Sequence, residues 1–144
     1  MLVELDGKPF YVDWSYLQQP NGPTEFEIQS YLYSELIRLG HEVRGEVAFV
    51  SFDDPQIGRG RVDLLVLSRG VPIRIIEVKV RQPKTVREFT ELRKQQTRYR
   101  RLGIPTNTVC GMEEARLYVE AVKQNGFAFT HMLRRNGSKP SICR

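Results

Sequence analysis

Apolar residues recur every three or four positions in two stretches of the chain, and this spacing predicts helices over residues 24–39 and 85–102. The apolar stripe of the first helix consists of Ile28, Leu32, Leu36 and Leu39. Thr24 suits the N-cap of this helix, Glu27 follows three residues later as in a capping box, and Gly40 ends it. The second helix begins with the same capping pattern.

Short continuous apolar runs rich in β-branched residues lie between the two helices and predict strands. They cover residues 46–52, 61–68 and 71–80, and the last two are expected to form a hairpin. Downstream we predict a strand at 107–110, a third helix at 113–123 and a last strand at 127–133.

This order of elements predicts one α/β domain with a mixed central β-sheet flanked by helices. The core of the domain covers residues 23–134. Residues 1–22 form an arm, with two short strands around an Asp6-Gly7 turn and then a linker, and residues 135–144 form a polar tail.

Composition narrows the class of partner. The 144 residues carry a formal net charge of +5 and a pI near 9.4, which attracts polyanions such as nucleic acid.

The two cysteines, Cys110 and Cys143, have no zinc-ligand spacing and indicate no disulfide framework, so a reducing cytoplasm is the expected location. No apolar run reaches the roughly 20 residues that a membrane span needs, so no membrane association is expected.

Charged residues interrupt the two apolar strands of the predicted hairpin. Glu77 and Lys79 stand two residues apart near the end of one strand, where period-two alternation puts them on one face, and Asp63 interrupts the preceding strand. Burying such charges costs several kcal/mol unless they are paired or bind an ion. The hairpin therefore contains either a salt bridge or a metal site.

The turn of the hairpin decides whether the two carboxylates meet. A two-residue turn would direct Asp63 away from Glu77. A three-residue loop over 68–70, with Gly70 at positive φ and a bulge, would pair Asp63 with Ile75 and place Glu77 diagonally on the same face. We predict the three-residue loop.

Two carboxylates on adjacent strands favour Mg²⁺ or Mn²⁺, which would take the rest of its shell from water and phosphate. Lys79 could then orient the attacking water. On the first helix, the 100° rotation per residue directs Glu25 through the middle of the apolar stripe and Glu27 to the opposite face. Glu25 is therefore the predicted third ligand of the metal or its water.

These residues resemble the signature of the PD-(D/E)XK nucleases, an Asp on one strand followed by Glu-X-Lys on the next. The resemblance covers roughly residues 24–123 and is strongest to the RecB-like and VRR-NUC-like branches, which carry a Glu four residues before a Gln, as in Glu25 and Gln29. These branches also carry Gln-X-X-X-Tyr, which looks like residues 95–99, and then a Leu-Gly stretch. Val62 replaces the proline of the signature, which is often missing in the family.

The resemblance implies a restriction-endonuclease-like fold and a Mg²⁺-dependent endonuclease that hydrolyses DNA and leaves a 5′-phosphate. It assigns Asp63 and Glu77 as metal ligands and Glu25 as a residue that completes the metal or water shell. Gln95 and Tyr99 would hold the site and the DNA backbone.

Basic residues on the second helix add a nucleic-acid surface. Spacings of seven, four and three gather four of them into one stripe, and two more follow Lys79. The stripe consists of Arg87, Lys94, Arg98 and Arg101, and the two flanking residues are Arg81 and Lys84. We expect these side chains to contact phosphates.

Two alternatives remain at this stage. One is a binding module that keeps the fold and grips nucleic acid without cleaving it. The other is a structural or toxin-partner protein whose Glu-X-Lys is a salt bridge. If the chain is a nuclease, a partner protein or self-association into a homodimer or higher oligomer must select the DNA form, because no recognition domain is visible in the sequence.

Overall fold

The computed structural model describes residues 2–5, 8–11, 22–55 and 57–129, with the backbone alone for the first two ranges and for residues 128 and 129. Its elements follow the order β1 (Leu2–Leu5), β2 (Lys8–Tyr11), α1 (Glu25–Arg38), β3 (Glu42–Val50), β4 (Arg59–Ser68), β5 (Val71–Lys79), α2 (Val86–Arg101), β6 (Thr106–Cys110), α3 (Met112–Asn125) and a 3-10 helix (Gly126–Phe129). The predicted α/β class is confirmed.

The helix boundaries follow from the capping residues. The Thr24 hydroxyl oxygen accepts from the Glu27 backbone N–H at 3.2 Å, and Thr85 accepts in the same way from Glu88 at 3.1 Å. Each cap satisfies one of the N–H groups that a helix leaves without an internal partner. The predicted starts of α1 and α2 are confirmed.

The central sheet has the order β3-β4-β5-β6. Its first two pairings are antiparallel, and β5 pairs with β6 in parallel, so the sheet is mixed as predicted. The arm strands β1 and β2 pair with each other, Leu5 opposite Lys8, in a separate two-stranded sheet. That pairing is the one predicted around the Asp6-Gly7 turn.

Two apolar clusters pack on opposite faces of the sheet. The larger one joins α1 and α3 to the sheet and includes Ile28, Leu32, Tyr118, Val43, Leu64, Val66, Ile76 and Val78. The smaller one joins α2 to the sheet and includes Tyr99, Val62 and Ile75, with Val47 and Phe49 packed against it. The central sheet is thereby covered on both faces.

The predicted three-residue loop of the hairpin is wrong. Ser68 pairs with Val71, so Arg69 and Gly70 alone form the turn, with φ values of 52° and 77°. Positive φ at both central residues is the type I′ pattern, whose twist matches that of the flanking strands. The positive φ of Gly70 and the presence of a bulge were predicted correctly, but the length of the turn was not.

The predicted strand at 127–133 is wrong where the structure describes it, because residues 126–129 form a 3-10 helix. The rest of that strand, the tail 135–144 and most of the linker before α1 lie outside the described residues.

Cys110 is disulfide-bonded, which no cysteine spacing indicated. Within the described chain, no helix is long and apolar enough to cross a membrane.

Candidate active site

A β-bulge sets the register of the two strands that carry the acidic residues. Val66 pairs with Arg74 but Leu67 pairs with Pro72, which leaves Ile73 as the extra residue on β5. The bulge shifts the pairing by one residue, and beyond it Leu64 pairs with Ile76. Continued by one residue, this register places Asp63 opposite Glu77.

The strands β4 and β5 separate at this pair, and we call the point between Asp63 and Glu77 the fork. Beyond it β4 continues only against β3, and β5 continues only against β6. Here side-chain acceptors take the place of the backbone hydrogen bonds between β4 and β5. The Asp63 N–H donates to Glu77 Oε1 at 3.2 Å, and the Val78 N–H donates to Asp63 Oδ2 at 2.8 Å. The fork is therefore closed by its own two carboxylates.

Two further side chains approach the backbone carbonyls of β4 at and beyond the fork. Gln29 Nε2 from α1 donates to the Asp63 carbonyl at 3.2 Å, and the Tyr99 hydroxyl from α2 lies 3.3 Å from the Arg61 carbonyl. Helices on both faces of the sheet thus hold this segment in place.

Glu77 is only 2% exposed and receives donors from α2 at both oxygens. Tyr99 donates to Oε1 at 2.8 Å, and Gln95 Nε2 donates to Oε2 at 3.0 Å. The structure thus brings both predicted α2 residues to the Glu77 carboxylate. Tyr99 is as buried as Glu77, so the predicted contact between Tyr99 and the DNA backbone is wrong.

The electrostatics of the fork favour a bound proton or cation. Burial, and then repulsion from Asp63, raise the pKa of Glu77 to about 8. Burial also raises the pKa of Asp63, although the hydrogen bond from Val78 opposes that rise. Two like charges at close range in a buried site cannot both ionise without cost.

Lys79 follows Glu77 on the same face of β5 and lines a cleft of about 860 Å³. Glu25 and Gln95 also line this cleft, which lies between the start of α1, the end of β5 and α2. Within the described chain, no ion pair joins Glu77 to Lys79. That geometry argues against the salt-bridge alternative.

The surroundings of Glu25 and Glu27 differ from those predicted for their faces of α1. Glu25 is exposed at the rim of the cleft. Partial burial and the negative charge of Asp63 raise the pKa of its carboxyl group, and the positive charge of Lys79 lowers it. Glu27 was predicted to face away from the core, but it is 3% exposed. Residues 27–30 are buried one after another, so the turn of α1 that follows Glu25 and Phe26 is enclosed on all sides rather than along one stripe.

The donor set of the fork suits a divalent cation in its chemistry but has few ligands. Two carboxylates with raised pKa values fit Mg²⁺ or Mn²⁺, because the cation relieves their repulsion and prefers oxygen ligands. Among the described residues, however, no three His, Cys, Asp or Glu side chains lie close enough to hold one ion. Asp63 and Glu77 are the residues that would hold it, with Glu25 at a greater distance.

The basic residues divide into two groups. Three members of the predicted stripe line the cleft, namely Arg87, Lys94 and Arg98. Arg101 instead forms an ion pair with Asp54 at 3.3 Å, and Arg81 forms a two-pronged pair with Glu88 at 2.9 and 2.8 Å. Lys84 is exposed beside that pair, and its backbone N–H donates to Glu88.

The stripe is also less uniformly basic than predicted. Lys94 lies 3.9 Å from Glu91, and both residues line the cleft. Pairing lowers the net positive charge that Lys94 presents to a phosphate.

Sequence reasoning missed Glu46. It stands on β3 opposite Asp63, between the pairs Gly45 with Leu64 and Val47 with Val62, and its φ is 55°. A glycine within a strand often marks a bulge or a close backbone approach, so Gly45 was the available signal.

Comparison with known proteins identifies no relative of this chain. No family model matches it, and neither a curated protein nor a solved structure matches it significantly. The function therefore rests on the site itself.

Proposed function

We propose that the chain is a divalent-metal-dependent DNA endonuclease with a restriction-endonuclease-like fold, in which Asp63 and Glu77 hold Mg²⁺ or Mn²⁺. The observation that carries this proposal is the facing pair of carboxylates at the fork, beside a cleft lined by Lys79 and by basic residues of α2. A bound cation would polarise the phosphodiester and acidify a water molecule.

The chain's own residues have separate roles in this proposal. The Lys79 ammonium orients the attacking water and stabilises the negative charge that develops on the phosphate. Gln95 and Tyr99 fix the Glu77 carboxylate, so its oxygens are oriented before substrate arrives. Glu25, at the rim of the cleft, completes the shell through water.

The basic side chains that line the cleft bind the DNA backbone without reading sequence. From α2 these side chains are Arg87, Lys94 and Arg98; Arg81 also lines the cleft but is paired with Glu88. A partner protein or a second copy of the chain would supply the choice between duplex, branched and single-stranded DNA.

A cleavage assay tests the proposal. Labelled duplex, junction, flap and single-stranded DNA are incubated with Mg²⁺, Mn²⁺ or EDTA, and Lys79→Ala is run in parallel. We expect cation-dependent cleavage of at least one form by the wild type and none by Lys79→Ala. Cleavage that persists in EDTA, or equal cleavage by Lys79→Ala, would contradict the proposal.

A non-catalytic nucleic-acid-binding module is the second candidate. It is favoured by the lack of a third close ligand among the described side chains. Salt-dependent DNA binding without cation-dependent cleavage of any DNA form would select this candidate.

A further inference from the structure

Glu46 has a backbone conformation that residues with side chains rarely adopt. Its φ of 55° lies in the left-handed region, in the middle of β3. Such strain persists only where the surrounding structure enforces it, and it concentrates at functional sites. The position of Glu46 opposite Asp63 places this strain beside the fork.

At Glu46 the β3–β4 hairpin passes from one apolar cluster to the other. On one side of Glu46, Val43 and Leu64 pack in the cluster with α1 and α3. On the other side, Val47 and Val62 pack in the cluster with α2. In a regular strand, residues 43 and 47 would share one face, as would residues 62 and 64. The hairpin is therefore twisted at the pair formed by Glu46 and Asp63.

A buried amide connects the two residues of this pair. Gln29 is 4% exposed, and its Nε2 donates to Glu46 Oε1 at 3.2 Å and to the Asp63 carbonyl at 3.2 Å. Both hydrogens of the amide are thereby used. Without Glu46, Gln29 could rotate away from Asp63, because only one hydrogen bond would still orient it.

We propose that Glu46 is a positioning residue, which acts through Gln29 to fix the backbone of Asp63 at the fork. The inference rests on the proposed function, because it assigns Glu46 a role in preparing the Asp63–Glu77 site for a cation. Glu46 does not need to touch the cation or the substrate for this role. Groups that orient a ligand from behind commonly affect metal affinity about 10–100-fold.

Two substitutions separate the hydrogen bond from the charge. Glu46→Gly removes the acceptor for Gln29 and relaxes the backbone, because glycine adopts positive φ without cost. Glu46→Gln keeps an acceptor oxygen for Gln29 and removes the charge. Arg61→Ala is the matched control, since it deletes the 3.7 Å ion pair on the exposed side of Glu46 and leaves the Gln29 bridge intact.

The first readout needs no metal. The Val78 N–H donates to Asp63 Oδ2, so its hydrogen exchange, measured by NMR in EDTA, reports how firmly Asp63 is held. We expect faster exchange at Val78 in Glu46→Gly, with a melting temperature close to that of the wild type because relief of backbone strain offsets the lost hydrogen bond. Glu46→Gln and Arg61→Ala should exchange as the wild type does.

The second readout is Mn²⁺ affinity, which we expect to fall about tenfold or more in Glu46→Gly and to stay within a few-fold of wild type in Glu46→Gln. Glu46→Ala, which removes the same acceptor and keeps a side chain on the strained backbone, should reproduce the glycine variant and replaces it if that variant does not fold. A glycine variant with wild-type Val78 exchange and Mn²⁺ affinity would overturn the inference, as would equal losses in Glu46→Gln. If the wild type itself neither binds Mn²⁺ nor cleaves DNA, the proposed function fails, and Val78 exchange decides separately whether Glu46 holds Asp63.

Discussion

The backbone N–H of Asp63 donates to the carboxylate of Glu77 at 3.2 Å, at the point where β4 and β5 separate. This contact replaces a bond between two backbones with one between a backbone and a side chain. As a result, Glu77 is held by Asp63 on one side and by α2 on the other.

The pair should make stability depend on pH when metal is absent. The pKa of Glu77 is raised from 4.5 to about 8 in the folded chain, so the folded state binds this proton more tightly than the unfolded state does. The resulting stability is present below about pH 4.5 and is lost as pH rises through about 8. Thermal unfolding in EDTA should show a steeper decline from pH 5 to 9 for wild type than for Glu77→Gln, by a few kcal/mol at most. Parallel curves would contradict this assignment.

The Tyr99 hydroxyl should matter for metal binding beyond its contribution to stability. Tyr99→Phe removes a 2.8 Å hydrogen bond to a buried carboxylate and should cost about 1–3 kcal/mol in urea unfolding, with Mn²⁺ affinity reduced about tenfold. Tyr118→Phe is a matched control, because it removes a buried 2.9 Å hydrogen bond to Asn107 on the opposite face of the sheet. If both variants lowered Mn²⁺ affinity equally, the effect of Tyr99 would be only a general loss of stability.

The two-residue turn predicts opposite effects at neighbouring positions. Arg69 has a φ of 52°, which costs a residue such as arginine about 1 kcal/mol or more and suits asparagine better. We expect Arg69→Asn to raise the free energy of unfolding by about 0.5–1 kcal/mol and Gly70→Ala to lower it by about 1 kcal/mol. Urea unfolding measures both. A loss of stability in Arg69→Asn would argue against this turn.

The cleft and the outer ion pairs should contribute differently to DNA binding. Replacing Arg87 or Arg98 by Gln should weaken binding to any sequence and lower the salt slope by roughly one unit for each lost phosphate contact. Arg101→Gln should have a smaller effect, because this guanidinium is paired with Asp54. Fluorescence anisotropy over a salt series measures these slopes. Equal slopes for all variants would mean that the cleft does not bind phosphate.

Sequence patterns determined the helix ends well because the signals are local. Thr24 and Thr85 cap their helices within one turn, so the predicted bonds depend on nothing distant. The hairpin depends on a competition between two turns that differ by one residue. A bulge at Ile73 compensates for the shorter turn, and the local signal for it, Pro72, suits the start of a strand equally well.

The charged residues of the site were easier to predict than the residues that hold them in position. Asp63, Glu77 and Lys79 stand out as charges within apolar strands, whereas Gln95 was assigned only through the resemblance to the Gln-X-X-X-Tyr pattern. Glu46 was missed because the signal available, Gly45 within a strand, marks an irregular backbone without showing which neighbouring residue takes the positive φ. The burial of Glu27 was missed for another reason: a helical stripe cannot show that a helix end is covered on all sides.

Binding of Mn²⁺, followed by the EPR signal of the free ion, tests the central claim most directly. The wild type should bind the ion at a site that is lost in Asp63→Asn and in Glu77→Gln, because each substitution removes a charged ligand. Lys79→Ala should retain the ion, since the lysine acts on water and phosphate rather than on the metal. Absence of binding by the wild type, or equal binding by the wild type and Asp63→Asn, would contradict a metal site at the fork.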